Sequence, residues 1–349
     1  MKKKKIAICT VQVPFVRGGA EILVESLNTQ LLKRGFNSTI VSIPFKWYPK
    51  NEILKNMLTW RMSDLSESNG MKIDMVIATK FPSYGIKHDN KVTWLVHQHR
   101  TVYDLYGTEF SDFNATPEDN EMRSMIVNFD NKTLQESKKL YTIAENVTTR
   151  LEKFNGIKGE TLYHPPKNND KFYCGEYGNY ILSIGRIEPM KRVDLLVKAM
   201  KYVKSAVKCI VGGTGSHREE LERYVIQNKL DAKVKFVGFI NDEDLIKLYA
   251  DSLAVYFAPF DEDYGYISLE AFLSKKPILT TLDAGGVLEF VDDELNGYIT
   301  AVEPEQIAAK IDYLYNNKKL CEEFGNHGYE KVLPINWDSV IEKLTLTLR

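Results

Sequence analysis

Two carboxylates, Glu262 and Glu270, stand with seven residues between them in the stretch PFDEDYGYISLEAFLSKKPILTTLDAGG at 259–286. Tyr264-Gly265-Tyr266 lies between them, and the apolar run Leu253 to Ala258 precedes them as a buried strand would. Ile267, Leu269, Ala271, Phe272 and Leu273 mark one face of a short helix. The order is strand, acidic turn, glycine, helix start. It offers free backbone N–H groups and the positive end of a helix dipole to whatever sits above the strand, and an anion suits that position. Glu262 on the turn and Glu270 farther along the helix can accept hydrogen bonds from hydroxyls on either side of that anion. A sugar nucleotide has this layout. An acidic loop before an amphipathic helix is the plainer account of the same residues.

Cations occur where such an anion would need them. In Gly185-Arg186-Ile187-Glu188-Pro189-Met190-Lys191-Arg192 they follow a strand and precede a helix expected to begin near Lys191. Helix starts favour acidic residues, so Arg186 and Lys191 imply a local negative partner such as a diphosphate. Surface solubility is the competing explanation. Gly18-Gly19 and Gly212-Gly213-Thr214-Gly215 are turns compatible with phosphate, although glycine at a strand-to-helix turn is often there for steric reasons. Neither is a complete GxGxxG or GxxxxGK[ST] element. His97 and His99, in Trp94 to Arg100, fall at the end of a strand. Two histidines at i and i+2 share a strand face, but no third metal ligand accompanies them. The two compete for one place facing a sugar, with His97 preferred over His99, and a structural histidine is the plainer account of either. Among the aromatics, Tyr264 and Tyr266 are the candidates to stack on a ligand.

The elements that position these residues follow from periodicity. Strands are expected at 5–10, 38–43, 73–79, 92–97 and 140–144. Helices are expected at 20–33, where Leu23, Val24, Leu27, Leu31 and Leu32 recur at helical spacing, near 129–139 and at 145–154. The segment 98–125 reads as a loop and helix near the substrate. A second alternation has strands at 180–185, 207–212, 234–237, 253–258 and 277–281. Its helices fall near 191–204, 216–229, 241–251 and 266–275, then 303–317, 318–332 and 336 to the end. Apolar strands interleaved with helices indicate two parallel, doubly wound sheets, joined by a linker after Pro165-Pro166. Ligands bind such sheets at the carboxyl ends of the strands. Two halves facing across a cleft are therefore expected.

With 349 residues the chain has room for two domains. Its 27% charged residues and net charge of −1 exclude bulk electrostatic binding to nucleic acid. The cysteines Cys9, Cys174, Cys209 and Cys321 have no metal-ligand spacing and read as buried thiols in a reducing compartment. No run approaches a membrane span, and Lys2–Lys5 are followed by too short an apolar stretch for a signal peptide, so a cytoplasmic protein is expected. Lys2–Lys5 and Lys33-Arg34 leave a peripheral membrane surface, at its inner face, as a candidate partner.

Taken together, these pieces resemble the retaining glycosyltransferases of family 4, which have the GT-B fold. The matching residues are Gly18-Gly19-Ala20-Glu21, the histidine of WLVHQHR, GRIEPMK at 185–191, IVGGTG at 210–215 and FVGF at 236–239. Glu262 with Glu270, and Ala284-Gly285-Gly286 with Glu289, complete them. The resemblance implies an α/β chain with an acceptor domain at 1–167, completed by a helix at 336–349 that crosses back, and a nucleotide-sugar donor domain at 168–335. It implies transfer of a sugar from a UDP- or GDP-linked donor to a glycan or lipid-linked acceptor in cell-surface polysaccharide or glycoconjugate synthesis. The anomeric configuration would be kept, with no metal and no cofactor beyond the donor substrate. Arg186 and Lys191 would hold the diphosphate, Glu262 the sugar hydroxyls and Glu270 the ribose. Backbone at Tyr264, Gly265, Tyr266 and Ile267 would face the phosphates, with Gly18, Gly19 and Gly213 as further phosphate turns. Phe239-Ile240 would meet the base, and His97 would lie near the anomeric centre. Two departures stand out: Tyr264 replaces the usual phenylalanine, and His164-Pro165-Pro166 replaces Asn-Gly. A sugar-nucleotide epimerase or phosphorylase on the same frame, or a non-catalytic sugar-binding protein, are the alternatives.

Overall fold

A computed structural model describes residues 3–348. Lys2, the first residue of the basic stretch, and Arg349, the last of the expected C-terminal helix, lie outside them. The chain separates into two compact units, Met1–Lys167 with Asn336–Arg349, and Asn168–Ile335.

In the first unit the elements are β1 (Lys5–Gln12), α1 (Gly19–Lys33), β2 (Asn37–Pro44), α2 (Asn51–Met62), β3 (Glu67–Ser68), β4 (Met71–Lys72), β5 (Met75–Ala78), β6 (Lys91–Leu95), α3 (Pro117–Gln135), β7 (Lys139–Thr142), α4 (Glu145–Asn155) and β8 (Glu160–Thr161). Six of the strands form a parallel sheet in the order β2-β1-β5-β6-β7-β8. In β1, Ile8 lies between Ile40 of β2 and Ile77 of β5, and the full burial of Ile8 and Ile77 fits a sheet covered by helices. Leu23, Val24, Leu27 and Leu31 are the buried stripe of α1, whereas Leu32, expected with them, is exposed.

Three expectations change here. The helix α2 fills a region assigned no element, although its buried Ile53, Asn56, Met57 and Trp60 recur at helical spacing. The helix expected near 129–139 begins twelve positions earlier, at Pro117, where the Thr116 hydroxyl accepts the Asp119 N–H at 3.2 Å and Pro117 occupies the first position. Cys174, expected to be buried, is exposed.

Asp130 on α3 is fully buried and accepts the hydroxyls of Tyr84 at 2.8 Å and Tyr103 at 2.7 Å. Burial raises its pKa to about 7, against the two hydrogen bonds, which favour the ionised form. The folded pKa therefore lies above the unfolded one. The contribution of this group to stability is fully present near pH 4 and is lost as the pH rises through 7. Relative to the parent, Asp130→Asn should become progressively more stable between pH 5 and 8. Thermal melts of both proteins at matched pH check this, and a pH-independent difference would contradict it.

The second unit contains β9 (Tyr180–Ile184), α5 (Val193–Ala199), β10 (Lys208–Gly212), α6 (Arg218–Gln227), β11 (Val234–Gly238), α7 (Asp242–Ala250), β12 (Ala254–Tyr256), α8 (Tyr266–Leu273), β13 (Ile278–Thr281), β14 (Gly297–Thr300), α9 (Pro304–Asn316) and α10 (Lys318–Val332). Its parallel sheet runs β11-β10-β9-β12-β13-β14, with the order reversing direction at β9. Sheet residues Ile181, Cys209, Val211 and Leu279 share one core with Leu196, Leu221, Ile307 and Ile311 from the covering helices. The strand β14 was not expected, because Gly297-Tyr298-Ile299-Thr300 is too short to stand out by pattern.

The chain then returns to the first unit as α11 (Trp337–Leu344), capped by the Asn336 side chain at Ser339 N–H, 2.9 Å. Arg34, the residue that ends α1, bonds Asp338. Fully buried His164 lies edge-on to Trp94 at 5.3 Å and stacks on Trp337 at 6.2 Å. The His164-Pro165-Pro166 departure thus serves the packing of α11, and burial pushes the His164 pKa down to about 3.

Candidate active site

In the second unit the loops that follow five neighbouring strands are bonded to one another at their carboxyl ends. After β9, Gly185 N–H donates to Gly212 O at 3.0 Å and Ile187 N–H to Thr214 O at 2.9 Å. After β12, Phe260 N–H donates to Met190 O at 2.8 Å, Asp261 N–H to Asp283 O at 2.9 Å and Glu262 N–H to Ala284 O at 3.1 Å. Gly286 N–H returns to Glu262 O at 2.7 Å. A Cβ on Gly286 would come within 2.6 Å of the Asp263 carbonyl oxygen, so this crossing requires glycine. The result is a continuous rim carrying residues 185–192, 212–216, 238–241, 259–267 and 283–289.

Lys191 and Glu262, chosen from separate stretches of sequence, form an ion pair on that rim. Their side chains are 25% and 19% exposed, so both remain reachable. Lys191 sits on a single 3-10 turn, Pro189–Lys191, and the α-helix expected to start there begins instead at Val193. Arg192 interrupts the two with a φ of 50°. It is committed to structure: its guanidinium grips Asp283 at 2.7 and 2.8 Å, and its carbonyl accepts Tyr256 OH at 3.0 Å. Arg186 is exposed. Its charge helps to hold Glu188 ionised. Burial works against that charge, while Ser216 donates to Glu188 from its hydroxyl at 2.6 Å and its N–H at 3.1 Å, so the Glu188 pKa is lowered.

Gly265 has a φ of 82° and caps α8, whose first residues are Tyr266 and Ile267. The turn at Gly185 reaches Ile267, whose Cδ1 would lie 3.6 Å from a Cβ there. Arg186 and Lys191 therefore belong to the same patch as the α8 start. Tyr264 does not offer its ring to a ligand as expected. It is 4% exposed and lies edge-on to Tyr266 and Phe290, each at 5.5 Å, which leaves its backbone as the part that can reach a phosphate. Glu270 is half-buried on the second turn of α8 and accepts the hydroxyl of Tyr249, from α7, at 2.7 Å. Burial raises its pKa to about 7, opposed by the Tyr249 bond and reinforced by Asp242.

Gly213 is explained by space. Its φ is 126°, and a Cβ would fall 1.8 Å from the Gly185 carbonyl oxygen. Its N–H already donates to Gly238 O at 2.7 Å, so what it contributes to a ligand is closeness rather than a hydrogen bond. Phe239 is 85% exposed and Ile240 half-buried, with Ile240 Cδ1 against Gly212.

Two candidate elements lie in the first unit. Gly18 precedes α1, its N–H donating to Glu21 at 2.9 Å, and Gly19 is the first helical residue. His97 follows β6, is half-buried, and its Nδ1 donates to the Gln98 carbonyl at 2.8 Å. The His99 ring instead packs among Phe81 at 5.3 Å, Phe45 at 6.1 Å and Phe113 at 6.1 Å, and burial lowers its pKa to about 4. Packing is its role.

Several participants escaped the sequence reading. Ser216 was signalled by its place after the glycines of GGTG. Tyr249 was hidden because its hydroxyl projects from an otherwise apolar helix face. Asp283 had no visible partner before the fold brought Arg192 to it. Among the described residues no group of three or more His, Cys, Asp or Glu side chains is arranged to hold a metal ion, and no helix is long and apolar enough to cross a membrane.

Residues 168–331 match the family described as glycosyl transferases group 1. An uncharacterized glycosyltransferase of Methanocaldococcus jannaschii is 23% identical over 97% of this chain and 96% of its own length. Further curated relatives match 46–56% of this chain and 33–53% of theirs. Among solved structures, sucrose-phosphate synthase from Thermosynechococcus elongatus superposes with a TM-score of 0.81 at 16% identity, covering 99% of this chain and 98% of the other. Anabaena HepE, in complex with UDP and glucose, gives 0.72 at 15% identity, covering 99% of each. Two Rossmann-like domains of the GT-B type are therefore the architecture of this chain.

Proposed function

We propose that this chain, which has the GT-B-type fold and matches glycosyl transferases group 1 over residues 168–331, moves a sugar from a nucleoside diphosphate sugar to a glycan or lipid-linked acceptor, with retention of configuration. The observation that carries the reading is the meeting of Lys191 and Glu262 beside the α8 start, with Arg186 on the same rim. The HepE complex with UDP and glucose supports the donor class. In this reading the second unit is the donor domain and the first, with its returning C-terminal helix, the acceptor domain.

As the bond to the anomeric carbon breaks, negative charge grows on the diphosphate and positive charge on the sugar ring. Lys191, Arg186 and the N–H groups opening α8 stabilise the first, and such fixed groups usually give the largest catalytic term. Glu262 exchanges its lysine partner for sugar hydroxyls. Glu270 accepts from the ribose, Phe239-Ile240 borders the base, Gly19 approaches the phosphates and His97 serves the anomeric centre. The departing phosphate oxygen takes the acceptor's proton on the same face, so no carboxylate nucleophile is required.

A thermal-shift panel of UDP, GDP and ADP, each with and without its sugar, tests the donor class, since a ligand at a hundredfold its Kd stabilises by about 2.7 kcal/mol. Release of nucleoside diphosphate only when acceptor is added separates a transferase from an epimerase or phosphorylase. Stabilisation by none of the panel would contradict the proposal.

Glu270 adds a pH dependence. Accepting from ribose favours the ionised form, and its pKa of about 7 lies in the working range, with Tyr249, Tyr266 and Asp242 around it. Nucleotide binding should therefore release a proton and tighten about tenfold from pH 6 to pH 8, as the ionised fraction rises. Glu270→Gln should lose that dependence. Titration calorimetry in two buffers of different ionisation heat checks it, and equal slopes for the two proteins would contradict the role.

A further inference from the structure

The first unit holds a cavity of about 410 Å³ that the proposed function leaves unused. Gly18 and His97 follow the carboxyl ends of β1 and β6, whereas this cavity lies at the other end of the same sheet. Lys4, Asp74, Asn90 and Lys138 line it, and they are the residues directly before β1, β5, β6 and β7, four neighbours in the sheet. Lys72 of β4, Lys87 from the loop before β6, and Thr347 from the returning chain contribute to the wall.

Hydrogen bonds tie the floor together. Asn90 is buried, and its Nδ2 donates to the Asp74 carbonyl at 3.1 Å and to the Thr347 carbonyl at 3.4 Å. The Asn90 N–H donates to His88 Nδ1 at 2.9 Å, and His88 Nε2 donates to the Ile73 carbonyl at 3.2 Å. Asp74 is half-buried; one carboxylate oxygen accepts the Lys5 N–H at 2.8 Å and the other faces the Lys4 ammonium at 3.6 Å. The negative charge nearest the floor is therefore already engaged. The wall is different. Four lysines line the cavity against two aspartates, in a chain whose net charge is −1. Lys72, Lys87 and Lys138 are exposed and make no ion pair among the described residues, Lys72 even though Glu67 is its cross-strand neighbour. Helix carboxyl ends attract cations, which accounts for Lys138 shortly after α3 but not for Lys72 or Lys87. Like charges gathered around a fixed hollow repel one another unless an anion sits between them.

We propose that this cavity is a second ligand site, taking a small soluble phosphate ester between Lys72, Lys87 and Lys138 above the Asn90 floor. Its volume falls in the range of small-molecule sites, and lysine serves phosphate as a mobile point charge. The site lies wholly within the first unit and does not depend on the nucleotide-sugar reading. The head group of an anionic lipid carries the same phosphate chemistry, and the test separates the two sources.

The test is calorimetric titration of glycerol 3-phosphate into the full chain, into a Lys87→Ala, Lys138→Ala double variant and into Lys191→Ala. The parent should bind the ester at one site, more weakly as salt is raised. The double variant should lose about a hundredfold in affinity, about tenfold for each charge-assisted contact, while Lys191→Ala binds as the parent does. Thermal melts establish that the variants are folded, and should the double variant not fold, Lys87→Ala alone decides with its tenfold loss. A parent that does not bind the ester, or equal affinity in the folded cavity variants, overturns the proposal. Loss in Lys191→Ala with none in the double variant would assign the ester to the rim of the second unit and overturn it too. Sedimentation with phosphatidylglycerol vesicles, against phosphatidylcholine vesicles, is run in parallel. Vesicle binding that needs Lys87 and Lys138, in a protein that ignores the free ester, would give these lysines to a lipid surface and overturn the soluble ligand.

Discussion

Lys191→Ala should lower kcat for sugar transfer by about 10²–10³-fold, equivalent to about 2.7–4 kcal/mol of barrier, the range found when one preorganised donor to a developing oxyanion is removed. The side chain stands on a 3-10 turn fixed from both sides, by Phe260 N–H on the Met190 carbonyl and by the grip of Arg192 on Asp283. That backbone should survive the substitution. The ion pair with Glu262 is partly exposed, so its loss should change stability by no more than about 1 kcal/mol. Steady-state kinetics alongside thermal melts separate the two effects. Full turnover in a folded Lys191→Ala protein would remove the cation from the mechanism.

The second large effect is on the fold. Gly213→Ala places a methyl group 1.8 Å from the Gly185 carbonyl oxygen, at a φ of 126° that side chains rarely adopt. Neither backbone segment can yield easily. Gly185 is bonded to Gly212 and Gly213 to Gly238, so moving one disturbs the ends of β9, β10 and β11 together. Strain of about 1–3 kcal/mol and overpacking of a similar size should combine to several kcal/mol. Chemical denaturation should show a large fall in midpoint, and any folded remainder should have lost nucleotide binding, because the displaced turn carries Arg186. A protein of parental stability would contradict this account of the glycine.

The contrast between these two residues shows what could be read without coordinates. Lys191 was legible because a cation at a helix entrance is electrostatically out of place, and that oddity survives in one dimension. Gly213 was visible as a glycine, but its reason was not, since the carbonyl it must avoid lies on another strand's loop. The alternation of apolar strands and helices gave both sheets, while α2 and the first half of α3 were obscured by polar residues that face solvent. Tyr264 was misjudged for a related reason. Its neighbours in sequence are acidic and suggest an open turn, yet Asp261, Glu262 and Asp263 are half-buried and Phe290, far along the chain, covers its ring.

The most direct measurement is a crystal structure of the protein with the nucleoside diphosphate sugar that ranks highest in the thermal panel. The account predicts a phosphate oxygen within hydrogen-bonding distance of the Lys191 ammonium, sugar hydroxyls on Glu262 and ribose hydroxyls on Glu270. A bound molecule that leaves the Lys191 and Glu262 pair intact, with its diphosphate elsewhere, would contradict it.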